Sequence, residues 1–134
     1  MMSKKHSFKI DKLVRDKTLE IMRKSGACVH ERIMGKDEYI TRLKDKLLEE
    51  ATEVTDAASV QEIQEELADL LETMMSIANM YNITFEDINQ TAKQKRLARG
   101  GFEKRIYVDY VEIDSNHRML EYYKAHKNKY PEMV

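Results

Sequence analysis

Two neighbouring stretches concentrate the residues able to do chemistry: Glu49, Glu50 and Glu53 in one, and Glu65, Glu66, Asp69 and Glu72 in the next. Residues three apart share a face of a helix, so Glu50 points with Glu53 and Glu66 with Asp69. Reflecting the sequence about the junction of Ser59 and Val60 puts Glu53 level with Glu66 and Glu50 level with Asp69. The same reflection pairs Ala51 with Ala68, two small residues that would let helices approach closely. Four carboxylates held together repel one another, and partial burial adds desolvation. A hard divalent cation relieves both, and an all-oxygen donor set suits Mg²⁺ or Mn²⁺. No His or Cys accompanies the cluster, which disfavours zinc. Because Mg²⁺ keeps part of its shell for substrate phosphates, the pattern points to a phosphorylated substrate. The competing reading is a solvated acidic face, and Glu62, Glu65 and Glu72 suit it. Glu50 and Glu66 instead border the apolar stripes, and no Lys or Arg lies between Lys46 and Lys93.

Basic residues gather elsewhere. Lys93, Lys95, Arg96 and Arg99 precede Gly100-Gly101-Phe102, and Lys95 and Arg99 share a face at i,i+4. Arg clamps phosphate oxygens in pairs and Lys acts as a point charge. Cations at a helix C-terminus also complement the helix dipole, and the spacing leaves both readings open. A second basic group, Lys12-Leu13-Val14-Arg15-Asp16-Lys17, reads by spacing as an ordinary amphipathic segment. The four histidines form no H-x-x-x-H pair, and neither a nucleophile elbow nor a phosphate-cradling glycine loop occurs. Cys28 has no obvious base beside it in sequence and reads as a small, half-buried residue.

The acids must be carried by helices. Ile40, Leu43, Leu47, Ala51 and Val54 recur at spacings of three and four, predicting a helix from Asp37, its cap, to about Ala58. Ser59-x-x-Glu62 has the capping-box form and starts a second helix. Its apolar face runs from Ile63 through Leu67, Leu70, Leu71, Met74 and Ile77 to about Tyr81. The short link makes the two antiparallel. Thr84 caps a third helix ending at Gly100-Gly101, and a short earlier helix around Leu19 and Met22 ends at Gly26. Residues 105–113, β-branched and aromatic, predict a strand or a short extended arm, and Ser115 to Lys127 a last short helix. The fold class expected is all-α: an antiparallel helical bundle in one domain spanning 1–134. Met74, Met75, Ile77 and Met80 should leave an apolar face for a second copy, so at least a dimer is expected.

Composition narrows the classes further. Of 134 residues, 42 % are apolar and 35 % charged, which excludes a disordered polymer. The 23 Lys and Arg nearly cancel the 24 Asp and Glu, leaving a net charge of −1 and no global attraction to nucleic acid or an anionic membrane. Four Gly and one Pro are too few for a turn-rich sandwich, and one Cys excludes a disulfide framework. No apolar run approaches a membrane span, and the basic opening Met1 to His6 has no apolar secretory core, so a cytoplasmic setting is expected.

Glu49-Glu50-x-x-Glu53, followed after twelve residues by Glu66-x-x-Asp69, resembles the signature of the all-α nucleoside triphosphate pyrophosphohydrolases. That superfamily includes MazG-like proteins, dimeric dUTPases and phosphoribosyl-ATP pyrophosphohydrolase. Lys12-Leu13-Val14-Arg15-Asp16-Lys17 and Lys95-x-x-x-Arg99-Gly100-Gly101-Phe102 resemble a MazG-related house-cleaning subfamily, and the likeness spans residues 10–110. Two positions depart from it: Thr18-Leu19-Glu20 stands where Ile-Pro-Glu is usual, and Lys93 where many relatives carry Asn. The resemblance implies a helical core completed by dimerisation or tetramerisation, and Mg²⁺-dependent cleavage of a non-canonical nucleoside triphosphate to monophosphate and pyrophosphate. It implies Glu50, Glu53, Glu66 and Asp69 as metal ligands, and Glu49 as general base or support. Lys95, Arg99, Arg96, Lys93, Arg15 and Lys12 would bind substrate. Alternatives are action on phosphoribosyl-ATP and a non-catalytic helical dimer. The tail, 112–134, lies outside the resemblance.

Overall fold

In the computed structural model, which describes residues 3–134, the apolar stripe from Ile40 to Val54 forms α2 (Lys36–Asp56), and the stripe from Ile63 to Ile77 forms α3 (Val60–Met80). They follow α1 (Thr18–Lys24) and precede α4 (Phe85–Arg99) and α5 (Leu120–Ala125). Met1 and Met2, where the basic opening begins, lie outside the described residues. No helix is long and apolar enough to cross a membrane among the described residues.

Local chemistry sets most helix ends. The Ser59 hydroxyl accepts from the Glu62 amide at 3.1 Å, while the Glu62 carboxylate accepts from the Ala58 amide at 2.8 Å. Orphan amides at the start of α3 are thereby satisfied, an arrangement worth about 1 kcal/mol. Thr84 and Asp87 do the same for α4, each accepting from the other's backbone amide, at 3.1 and 2.9 Å. Gly26 ends α1 at φ +96°, where the amides of Gly26 and Ala27 bond back to the carbonyls of Arg23 and Met22. Gly100 ends α4 at φ +82°. The cap of α2 is Gly35 and not Asp37, which falls in the first turn, where its charge complements the helix dipole.

The chain forms two compact units, one reaching to Lys95 and one from Arg96 to Val134. In the first, α2 and α3 fold back on each other across Ala57-Ala58-Ser59. Their seam buries Leu43 and Ala78 at 3 % and 4 % exposure, together with Glu50 and Thr73. No other apolar side chain is as covered among the described residues. Ile63, Leu67, Leu71 and Met74 form an exposed stripe along α3, while Met75, Ile77 and Met80 are half-buried. The open apolar face is therefore the 63–67–71–74 row, rotated from the one expected.

In the second unit, residues 105–113 form no strand. Their β propensity finds no outlet, because a lone strand leaves its backbone groups unpaired and no second strand exists among the described residues. Helix α5 covers only the middle of the expected 115–127 segment. Tyr122 stacks near His126, with rings 4.4 Å apart, and Tyr123 packs edge-on to Tyr130 at 5.1 Å.

Candidate metal centre

The fold brings the four reflected acids together. Glu50 and Glu53 from α2 and Glu66 and Asp69 from α3 each offer an oxygen, and all four oxygens lie within 4.8 Å of one another. The reason is the three-residue link, which sets the register of two helices whose acids repeat at i,i+3. The cluster is graded in exposure: Glu50 is buried, Glu66 and Asp69 are half-buried, and Glu53 is open.

Its electrostatics are those of a site short of positive charge. Oε2 of Glu50 and Oε2 of Glu66 are buried with no hydrogen-bond partner, an arrangement that costs free energy unless something else ligates them. A hydrogen bond with Glu53, then burial, then the charges of Glu53, Asp69 and Glu50 push the Glu66 carboxyl up to about 7. Burial, followed by the charge of Glu53, raises Glu50 as well, against the pull of Lys46. These oxygens fit a divalent cation: the donors are hard, converge from two rigid elements, and include two without protein partners.

Cations do reach the edge of this acid box. Arg15 donates to Asp69 Oδ1 at 2.8 Å, and Lys12 donates to Glu49 Oε1 at 3.1 Å. Both come from the segment that spacing alone reads as an ordinary amphipathic stretch. Lys46 lies 3.4 Å from Glu49 Oε2 and 3.5 Å from Glu50 Oε1. The gap in basic residues between 46 and 93 thus does not isolate the acids, because Lys46 itself and the N-terminal segment supply charge. Arg15 is 59 % exposed and its pair with Asp69 lies open to water, so it does not make a dry salt-bridge lattice. Glu49 stands outside the four-acid set. Burial would raise its proton affinity, but the two lysines outweigh this and hold it below the ordinary carboxylate range. A cavity of about 320 Å³ opens beside it, lined by Lys12, Leu13, Arg42 and Lys46 among others.

The cations of α4 are placed differently. Lys93 and Lys95 are exposed in the first unit, and Lys95 lines an open groove of about 570 Å³ with Ile83, Ile88 and Ala92. Arg96 and Arg99 belong to the second unit, where Arg96 is tied to Glu103 and Arg99 is exposed. A Cβ on Gly101 would collide with that Arg96–Glu103 pair, so the second glycine makes room for it. Cys28 is exposed, not half-buried, and its sulfur lies 3.8 Å from the His30 ring, so a base does stand nearby. Lys46 is the residue that inspection of the sequence passes over. Its signal was its place four residues before Glu50 on the same helix.

Residues 39–100 match the family model of the MazG nucleotide pyrophosphohydrolase domain. No curated protein and no solved structure matches the chain. The matched segment contains both helices of the hairpin and all four acids. Residues 39–100 thus carry a MazG nucleotide pyrophosphohydrolase domain, whose chemistry is that of a hydrolase acting on phosphoric anhydrides.

Proposed function

We propose that the protein is a Mg²⁺-dependent nucleoside triphosphate pyrophosphohydrolase that removes a non-canonical triphosphate from the nucleotide pool. The observation that carries this reading is the four-carboxylate box with two buried, partnerless oxygens. Glu50, Glu53, Glu66 and Asp69 would hold Mg²⁺, with Mn²⁺ as a substitute. When bound, the ion supplies charge neutralisation for the phosphates and acidifies water.

The remaining work falls to the chain's own side chains. Glu49, kept ionised by Lys12 and Lys46, accepts a proton as water attacks the phosphorus next to the nucleoside. The bond between the first and second phosphoryl groups breaks, pyrophosphate leaves, and the nucleoside monophosphate is released. Arg15 and Lys12, which pair with Asp69 and Glu49, would meet phosphate oxygens. Lys93 and Lys95 are proposed to contribute further charge to the substrate. A second copy of the chain would cover the Ile63, Leu67, Leu71 and Met74 row, which is otherwise open to water. The setting we infer is the cytoplasm.

The test is pyrophosphate release with Mg²⁺ from a panel of canonical, deaminated and oxidised nucleoside triphosphates, with products identified. Turnover of at least one, lost on Glu53→Gln, is expected. No release from any nucleotide, or full turnover in that variant, would overturn the proposal.

A further inference from the structure

Of the three cations that touch these acids, Lys46 is the most buried. Its side chain is 24 % exposed, and its ammonium lies 3.4 Å from Glu49 and 3.5 Å from Oε1 of Glu50. Among the described residues no other cation is within ion-pair distance of Glu50, whose other oxygen, Oε2, is buried without a partner. The pair does little for the helix itself. Lys precedes Glu by four residues, the weaker of the two orders on a helix, and a long side chain must be ordered to make the contact. A half-buried ammonium gripping one oxygen of the most buried acid is better explained by what it does to that acid.

We infer that Lys46 is a positioning residue. By holding Oε1 of Glu50 it turns Oε2 toward Glu53, Glu66 and Asp69. By holding Oε2 of Glu49 as well, it fixes the carboxylate outside the box relative to one inside it. Lys12, on the other oxygen of Glu49, completes an alternating row of Lys12, Glu49, Lys46 and Glu50. This inference rests on the reading of the four acids as cation ligands. It goes beyond it by assigning a non-ligand residue the job of aiming them, as partners of ligating groups commonly do.

The sign of one measurement separates aiming from mere proximity of charge. If Lys46 only repelled cations, Lys46→Met would tighten divalent-cation binding. If it aims Glu50, the same substitution weakens binding although a positive charge has gone. The experiment is Mn²⁺ titration of the full-length protein without nucleotide, followed by calorimetry or electron paramagnetic resonance. Expected is a loss of about 10- to 100-fold in affinity for Lys46→Met, with most of it restored in Lys46→Arg, which keeps the charge. Lys46→Met added to Glu50→Gln should weaken affinity no further, since Lys46 acts through that carboxylate. Unfolding of Lys46→Met would be seen by circular dichroism, in which case Lys46→Arg and Lys46→Gln carry the comparison. Tighter or unchanged Mn²⁺ binding in folded variants overturns the positioning role while leaving the metal reading intact. No Mn²⁺ binding by the wild type overturns both.

Discussion

Glu50→Gln should stabilise the protein when divalent cations are removed and destabilise it, relative to wild type, when they are abundant. The substitution keeps shape and the acceptor facing Lys46 but removes one negative charge. In the native hairpin the Glu50 side chain is 7 % exposed, with three other carboxylate oxygens no more than 4.8 Å away. At an effective dielectric of about 20, two charges 4.8 Å apart repel by ~3 kcal/mol. Lys46 at 3.5 Å returns ~5 kcal/mol on the same scale. Three repulsions outweigh one attraction, and the box relieves the excess by holding protons. What Gln recovers is the smaller cost of one buried, unsatisfied acceptor, about 1–3 kcal/mol. In EDTA this should raise the melting temperature by about 4 °C per kcal/mol. With Mg²⁺ at a hundred times its dissociation constant the wild type gains ~2.7 kcal/mol from binding alone. The variant, lacking a ligand, gains much less, so the order of stability inverts. Melting curves for both proteins in EDTA and across a Mg²⁺ series test this. A variant that melts below wild type in EDTA, or gains as much from Mg²⁺, would refute the reasoning.

The raised Glu66 carboxyl makes stability depend on pH in a defined direction. A carboxyl whose folded value, about 7, exceeds its ordinary 4.5 binds protons more tightly when folded. Its favourable contribution is full below 4.5 and is lost as pH rises toward 7. Urea midpoints in EDTA should therefore fall between pH 5 and pH 8, and Mg²⁺ affinity should rise over the same window. Ser59→Ala removes the hydroxyl that accepts from the Glu62 amide and should cost about 1 kcal/mol by urea denaturation. Light scattering at micromolar concentration should return at least twice the chain's 15.8 kDa, and Leu67→Asp with Leu71→Asp should reduce the mass to that of one chain. A monomeric wild type would leave the α3 stripe without its second copy.

How much of this was legible in the linear order of residues follows from how local each cause is. Helix periodicity, the Ser59 and Thr84 caps and the glycine stops are local, and the chain carries them openly. The convergence of Glu50, Glu53, Glu66 and Asp69 was legible too, because a link of three residues leaves two helices a single register and turns a mirror in sequence into a contact in space. Of the strand or extended arm expected at 105–113, the strand does not form, since propensity alone supplies no partner for the backbone. Tertiary structure alone decided which cations meet the acids. Arg15 reaches Asp69 across 54 positions and Lys12 reaches Glu49 across 37, separations at which no periodicity carries information. It also decided that the open apolar row on α3 runs through Leu67 and Leu71, because which side of a helix faces water depends on what packs against it.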